Sequence, residues 1–119
     1  MEKTKFVTLT IKKRWMDAIM RGEKLEEYRE IKPFYDRIFI DKLGMAMTVR
    51  FRAGYRNDSP IIETVVKPRI GGGRTEWGAQ EMMKYYVLDI IAKRWVRGGE
   101  TNDERQPQGQ YARGRRPEA

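Results

Sequence analysis

The stretch of residues 22–29 constrains the fold most, because it joins a helical pattern directly to a strand pattern. Apolar residues recur four apart over residues 11–21, as Trp15 and Ile19 do, and this spacing predicts a helix. Gly22 stands where that helix should end, since glycine takes the left-handed C′ conformation without steric cost. The residues that follow alternate with period two, so we predict that a strand comes immediately after the helix.

The predicted strand carries charges on one of its two faces. Leu25, Glu27 and Arg29 share one face, and Tyr28 lies between two glutamates on the other. An unpaired buried charge is costly, so if Leu25 points into a core, Glu27 and Arg29 must bind each other or line a polar cavity. The alternative is that the face of Tyr28 turns inward and the charged pair is solvated. The alternation leaves both arrangements open.

Four segments in this order resemble the signature of the ASCH domain family, a branch of the PUA-like β-barrels. They are the motif Gly22-x-Lys24-x-x-Glu27-x-Arg29, the Val-Arg-Phe-Arg-Ala-Gly-Tyr segment at 49–55, the Glu-Trp-Gly loop at 76–78 and the apolar run at 85–91. The resemblance covers roughly residues 5–95. It implies an α+β fold: a small PUA-like mixed β-barrel of five to six strands, with one main helix and one or two short helices.

The remaining elements are predicted from alternation and from turn residues. We predict strands at 7–11, 47–51, 61–66 and 85–91, a short helix at 34–39, a helical turn at 80–84, and a flexible loop at 68–75. Residues 1–96 form the predicted domain. Residues 97–119, rich in Gly, Gln, Arg and Pro, are predicted to be a flexible tail.

The composition excludes several kinds of site. The 119 residues include no histidine and no cysteine, which excludes His-based triads, the usual zinc sites and disulfides. We therefore predict no cofactor and no metal, and any catalysis must use Lys, Glu, Asp, Tyr, Ser or Thr. The N-terminus is charged and no apolar run reaches the length of a membrane span, so we predict a cytoplasmic protein with no membrane partner.

The charge indicates the class of partner. The net charge is +8, and five arginines against four acidic residues give residues 97–119 only +1, so the predicted domain carries +7. Such an excess favours a polyanion, because neutralised phosphates release counterions. RNA or a modified nucleotide is the partner we predict. The alternative is a basic soluble protein with no role in nucleic-acid binding.

Basic residues at two places are candidates for phosphate contacts. Lys12, Lys13 and Arg14 lie in the first turn of the predicted helix, where each cation opposes the macrodipole by about 0.3 to 1 kcal/mol. A bound phosphate would explain them, and an exposed basic turn is the alternative. Arg74 follows three glycines at 71–73, which could cradle a phosphate or form a plain mobile loop.

Lys24 is the candidate centre of a polar pocket shared with Glu27 and Arg29. A desolvated lysine beside another cation has a lowered pKa and can act as a base or nucleophile. Glu27 could transfer protons, and Arg29 could hold a phosphate or an oxyanion. Three aromatic residues are candidates for stacking on a base: Tyr28, Tyr55 and Trp77. The alternative is a structural ion-pair network.

The resemblance implies a cleft fitted to RNA or to a modified nucleotide. One branch of the family hydrolyses N4-acylated cytidines with a lysine, a threonine and a glutamate, and another is reported to cut RNA. Lys24 matches that lysine, but Glu27 stands in place of the threonine, and the downstream glutamate could be Glu63 or Glu76.

Three functions therefore remain open from the sequence. We predict first an RNA- or nucleotide-binding domain built on Lys24, Glu27 and Arg29. The second is a small metal-independent hydrolase in which Lys24 and Glu27 are catalytic. The third is an accessory protein whose basic surface meets a protein partner, with the three residues serving only the fold.

Overall fold

The structure is a computed structural model, and it describes residues 6–99. Its strands are β1 (Val7–Thr10), β2 (Glu26–Glu30), β3 (Met47–Arg52), β4 (Ile61–Gly72) and β5 (Lys84–Arg97). Its helices are α1 (Lys13–Met20) and α2 (Pro33–Phe39), with single 3-10 turns at Ile40–Lys42 and Thr75–Trp77. Within these residues, neither helix has the length and apolar character needed to cross a bilayer.

The five strands form one mixed sheet that curls into a half-barrel. The strand order is β1-β3-β4-β5-β2, in which β1 runs parallel to β3 and every other pair is antiparallel. The two edge strands approach each other, because Arg29 of β2 donates a hydrogen bond from Nη2 to the backbone oxygen of Thr10 in β1, at 2.7 Å. The predicted α+β class and barrel-like sheet are confirmed, with five strands.

Helix α1 covers the inner face of the curled sheet. Met16 and Ile19, one helical turn apart, are fully buried against Val49 and Phe51 of β3. Gly22 takes a φ of +80° just beyond the helix, as the sequence predicts, and its N–H donates to the oxygen of Ile19. This turn delivers the chain directly into β2, so the helix and the strand are held in a fixed relation.

Strand β4 corrects the predicted loop at 68–75, because it continues through Pro68 to Gly72. The pairing of β3 ends at Val66, so Pro68 lies beyond the ladder on that side. Its carbonyl accepts from the N–H of Gly44 there, and in a strand the N and the C=O of one residue point to the same side. The missing N–H of proline therefore costs no ladder hydrogen bond, and the segment can remain a strand.

Strand β5 corrects two further predictions. Residues 80–84 do not form a helical turn: a tight turn carries Met82 at a φ of 60°, and Lys84 already begins β5. At the other end, Arg97, where the tail is predicted to begin, is the last residue of β5 and pairs with Ile61. The rest of the predicted tail, residues 100–119, lies outside the described residues, as do residues 1–5.

Candidate functional site

The charged face of β2 points inward, which decides between the two arrangements that the sequence leaves open. Glu27 is buried, and its Oε2 lies 2.7 Å from Nη2 of Arg29. The other carboxylate oxygen, Oε1, lies 3.4 Å from Nζ of Lys24, whose exposed fraction is 1%. Leu25 does not share this face, since β2 begins only at Glu26 and the Leu25 side chain is 55% exposed. Lys24 enters the interior in its place.

The ammonium of Lys24 is enclosed by aromatic rings and one carbonyl. Its Nζ lies 4.9 Å from the ring centroid of Trp15 and 4.8 Å from that of Tyr28, and it donates a hydrogen bond of 2.7 Å to the oxygen of Trp77. Both rings offer a cation–π attraction. Burial lowers the pKa of Lys24 below its ordinary value, and the charge of Glu27 acts in the opposite direction.

Arg29 joins the charged residues to both edges of the half-barrel. Besides Glu27 and the Thr10 oxygen, its guanidinium reaches the hydroxyl of Tyr35, to which Nη1 donates at 3.1 Å. Its Nε is buried and has no hydrogen-bond partner among residues 6–99. An unsatisfied buried donor is costly, so this N–H is an unfavourable feature of the folded site.

The buried charges form the floor of an open cleft of about 450 Å³ at the seam between β1 and β2. The residues that line it are Thr10, Ile11, Lys12, Trp15, Glu27, Arg29, Gly54 and Tyr55. Because β1 and β3 are parallel, the segments that follow them leave the sheet at the same edge, and both segments contribute to the cleft. Tyr55, 83% exposed, stands at its mouth.

The structure brings four of the predicted site residues together in this cleft. They are Lys12, Glu27, Arg29 and Tyr55. Lys24 lies behind Glu27, next to the cleft but not on its surface. The cluster of Lys24, Glu27 and Arg29 proposed from the motif therefore exists as a linear chain of contacts, in which the carboxylate bridges two cations.

Of the basic triplet formed by Lys12, Lys13 and Arg14, the last two residues do not line the cleft. Lys13 pairs with Asp17 at 3.1 Å on the exposed side of α1. Arg14 lies over the ring of Trp15, with its guanidinium 4.5 Å from the centroid. Lys12 alone of the triplet is positioned to contact an occupant of the cleft.

The loop after β4 also lies away from the cleft, and its residues bind one another. Arg74 pairs with Glu76 at 3.0 Å and lies 4.9 Å from the ring centroid of Trp77. Its backbone N–H donates to the hydroxyl of Tyr28, which itself donates to Glu26. Burial raises the pKa of Tyr28. Tyr28, Arg74 and Trp77 thus hold the loop over Lys24 rather than present a stacking surface.

Neither candidate for the downstream glutamate reaches Lys24. Glu63 lies on the outer face of the sheet, where Arg50 and Arg94 bind it, and Glu76 binds Arg74. The lysine–threonine–glutamate constellation of the amidohydrolase branch is therefore not assembled around Lys24 in this chain. Among residues 6–99 no cluster of Asp and Glu is suited to a metal ion either.

Three residues of the site escape prediction from the sequence. Thr10 accepts a hydrogen bond from Arg29 through its backbone oxygen, and Tyr35 of α2 accepts one through its hydroxyl. The ring of Trp15 lines the cleft and is also part of the lysine cage, the enclosure of Lys24 by Trp15, Tyr28 and the oxygen of Trp77. For Trp15 a signal was present, since a tryptophan beside a basic triplet fits poorly on a purely solvated helix face. The other two meet Arg29 only because the sheet curls.

Comparison of the chain with protein-family models, with curated proteins and with solved structures finds no match in any of the three. The likeness to the ASCH family therefore stays a prediction from the residues of the motif.

Proposed function

We propose that this chain is an RNA- or nucleotide-binding domain of the PUA-like type, and that its ligand enters the cleft between β1 and β2. The observation that carries the proposal is the charged floor of that cleft between two aromatic side chains. Glu27 and Arg29 offer a carboxylate and a guanidinium, and Trp15 and Tyr55 flank them.

The floor is a costly arrangement for a structural role alone. Burying an ion pair rarely stabilises a fold more than apolar residues of similar volume would, because desolvation opposes the Coulomb attraction. Here one carboxylate is shared by two cations, Lys24 and Arg29, and the Nε of Arg29 has no partner among the described residues. That unpartnered buried donor adds a further cost to the fold, which supports a role for the site beyond structure alone.

The walls and the size of the cleft fit a nucleotide. Ligand pockets commonly measure about 300 to 1,000 Å³, and the volume here, about 450 Å³, falls in that range. The rings of Trp15 and Tyr55 can stack on a base, and Lys12 at the mouth can bind a phosphate. Glu27 can accept hydrogen bonds from the amino or imino groups of a base edge.

A small hydrolase that acts on an acylated nucleoside or on RNA is the second candidate. The lowered pKa of Lys24 favours it, because a neutral amine is a base or nucleophile. Against it, Lys24 is enclosed behind Glu27 and its Nζ donates to the oxygen of Trp77. Attack on a substrate in the cleft would require that lysine to leave its cage, so binding is the function that the geometry supports better.

Tyr55 provides the test of binding, because so exposed a ring can be removed without disturbing the core. Loss of one stacking ring costs about 1 to 3 kcal/mol, so Tyr55→Ala should weaken binding of a labelled 12-nucleotide mixed-sequence single-stranded RNA by roughly 5- to 150-fold. Tyr55→Phe keeps the ring and should bind as the wild type does. Fluorescence anisotropy measures all three, and equal affinities for the three proteins would refute the proposed cleft.

Hydrolysis is tested by mass spectrometry of the RNA and of N4-acetylcytidine after incubation with the protein. Lys24→Met, which is one atom shorter than lysine and removes the amine, is the control, with its folding checked by thermal unfolding. A product formed by the wild type and absent with the variant would establish the hydrolase. Intact substrates in both samples would exclude it.

A further inference from the structure

The outer face of the sheet, opposite α1, carries a cluster of arginines that the cleft does not use. We call this cluster the arginine array, and it consists of Arg50, Arg52, Arg94 and Arg97, with Glu63 among them. The strand register places Arg50, Glu63 and Arg94 side by side in one row, and Arg52 and Arg97 in the next row with Ile61 between them.

The first row is held by a shared carboxylate. Nε of Arg50 donates a hydrogen bond to Oε1 of Glu63, and Nη2 of Arg50 lies beside the same oxygen, both at 2.9 Å. Nη2 of Arg94 lies 3.3 Å from the other carboxylate oxygen, Oε2. The hydrogen bond from Arg50 holds the pKa of Glu63 below its ordinary value, so the carboxylate is charged at neutral pH. Two guanidiniums on one carboxylate leave a positive excess, and Arg94 is 61% exposed.

The second row is held by backbone oxygens instead of carboxylates. Nη2 of Arg52 donates to the oxygen of Arg56 at 2.7 Å, and Nε of Arg97 donates to the oxygen of Ser59 at 2.8 Å. These bonds orient the side chains without neutralising them. Four guanidiniums against one carboxylate give the arginine array a net charge of +3.

The rest of the same face has no positive excess, because Lys67 and Arg69 share it with three carboxylates, which belong to Glu26, Glu30 and Asp89. Beyond the short apolar stretch at Val65, Lys67 and Arg69 face Glu26 and Asp89, and Arg69 binds both carboxylates at 2.9 and 2.7 Å. The positive charge is therefore concentrated at one end of the sheet. That end adjoins the cleft, because Arg52 pairs with Thr10, which lines it.

We propose that the arginine array binds successive phosphates of a single-stranded RNA whose base occupies the cleft. This inference rests on the proposed function and makes the ligand a polynucleotide rather than a free nucleotide. The guanidiniums of Arg50 and Arg94 converge on Glu63. Arg52 and Arg97 lie in the next row, about 7 Å along the strands, and each binds a different backbone oxygen, so no single phosphate can engage all four. An extended strand, with one phosphate per nucleotide, can.

Two features make the strand single rather than double. A base can enter the cleft only if it is unpaired and unstacked, which is the form in which proteins read RNA sequence. Phe6, at the start of the described residues, lies beside the array with its ring centroid 4.3 Å from the guanidinium of Arg50. Its exposed ring offers a second unpaired base a surface for stacking.

The experiment compares two single-charge deletions on the same sheet face. Arg94→Gln removes a cation from the array, and Lys67→Gln, at an exposed position on the half without a positive excess, is the matched control. Each phosphate contact to a single strand contributes about 0.7 to the slope of log affinity against log salt, or about 2.6-fold between 50 and 200 mM. Arg94→Gln should lower that slope by about 0.7 and weaken binding of the 12-nucleotide RNA roughly 3-fold or more at low salt.

Further measurements define the ligand and the role of the carboxylate. Arg94→Gln should leave the affinity for the four ribonucleoside 5′-monophosphates unchanged, since these reach only the cleft. Glu63→Gln should strengthen RNA binding, because it frees both neighbouring guanidiniums. Lys67→Gln should bind like the wild type. Thermal unfolding midpoints of the three variants establish that each is folded.

Each contrary result has a distinct meaning. If Arg94→Gln and Lys67→Gln bind RNA equally well while Tyr55→Ala weakens it, the array is not an RNA site and the cleft stands. If the wild type binds the monophosphates but not the RNA, the array proposal is overturned and the cleft stands. If it binds neither, both proposals are overturned. If polyglutamate binds as tightly as the RNA and Arg94→Gln weakens both equally, the array is a surface for an acidic protein and the assignment to RNA is wrong.

Discussion

Replacing Glu27 by glutamine should destabilise the fold far more than an ordinary surface substitution does. The amide keeps the shape of the carboxylate but removes the charge that two buried cations share. At an effective dielectric constant of about 20, an attraction at 2.7 Å amounts to about 6 kcal/mol and one at 3.4 Å to about 5 kcal/mol before desolvation is counted. Breaking a buried ion pair lowers the free energy of unfolding by less than these attractions, about 3 to 5 kcal/mol, and we expect that loss of stability for Glu27→Gln.

Urea denaturation followed by tryptophan fluorescence measures this loss. A domain of this size has a total stability of about 5 to 15 kcal/mol, so the midpoint should fall steeply while the slope with urea stays constant. Glu30→Gln is the matched control on the same strand, because Glu30 is exposed and pairs with exposed Lys32 at 3.3 Å. Glu30→Gln should lower the free energy of unfolding by less than about 1 kcal/mol.

A loss of unfolding free energy for Glu27→Gln no larger than that for Glu30→Gln would refute the sharing of the Glu27 charge by two buried cations. That result would mean that Lys24 and Arg29 are solvated or that Lys24 is already neutral in the folded protein. A triple variant, Lys24→Met with Glu27→Leu and Arg29→Met, should recover most of the stability, since apolar residues can replace a buried charge network. It should not recover RNA binding.

Two further predictions concern the lysine cage and the loop above it. Burial lowers the pKa of Lys24, so the unfolded chain still binds the lysine proton at pH values where the folded protein has released it. The unfolding free energy of the wild type minus that of Lys24→Met should therefore rise with pH up to about 10.4, as measured by chemical denaturation at several alkaline pH values. A flat or falling difference would mean that the lysine is solvated. Gly73→Ala should cost about 1 to 3 kcal/mol in thermal unfolding, because a Cβ there would lie 2.7 Å from both the ring of Tyr28 and Ala79, and an unchanged midpoint would contradict that packing.

The local elements of the site could be predicted from the sequence because their causes are local. The helical spacing, the glycine at its end and the alternation after it produce α1, Gly22 and β2 without reference to the rest of the chain. The same alternation placed Glu27 and Arg29 on one face. Which face is inside depended on the partners that a buried charge finds, and those are the Thr10 oxygen and Tyr35.

Several residues lie in other positions than the sequence predicts, because local sequence patterns do not show how the sheet curls. Tyr28 and Trp77 were predicted to stack on a base, but they close over Lys24, because β2 pairs with β5 and the loop after β4 folds across that edge. Pro68 predicts the start of a loop, since the end of the β3 ladder two residues earlier cannot be seen in the sequence. Leu25 is exposed because Lys24 occupies the interior position, with its ammonium between two aromatic rings and the oxygen of Trp77.

The most direct test of the nucleotide-binding cleft is a titration of ¹⁵N-labelled protein with the 12-nucleotide single-stranded RNA, followed by amide and indole chemical shifts. We expect the largest changes in the segment after β1, including the indole N–H of Trp15, and at Gly54 and Tyr55, with smaller changes along the arginine array. No shift in the cleft, or shifts confined to residues 80–83 in the turn before β5, would contradict a binding site between β1 and β2.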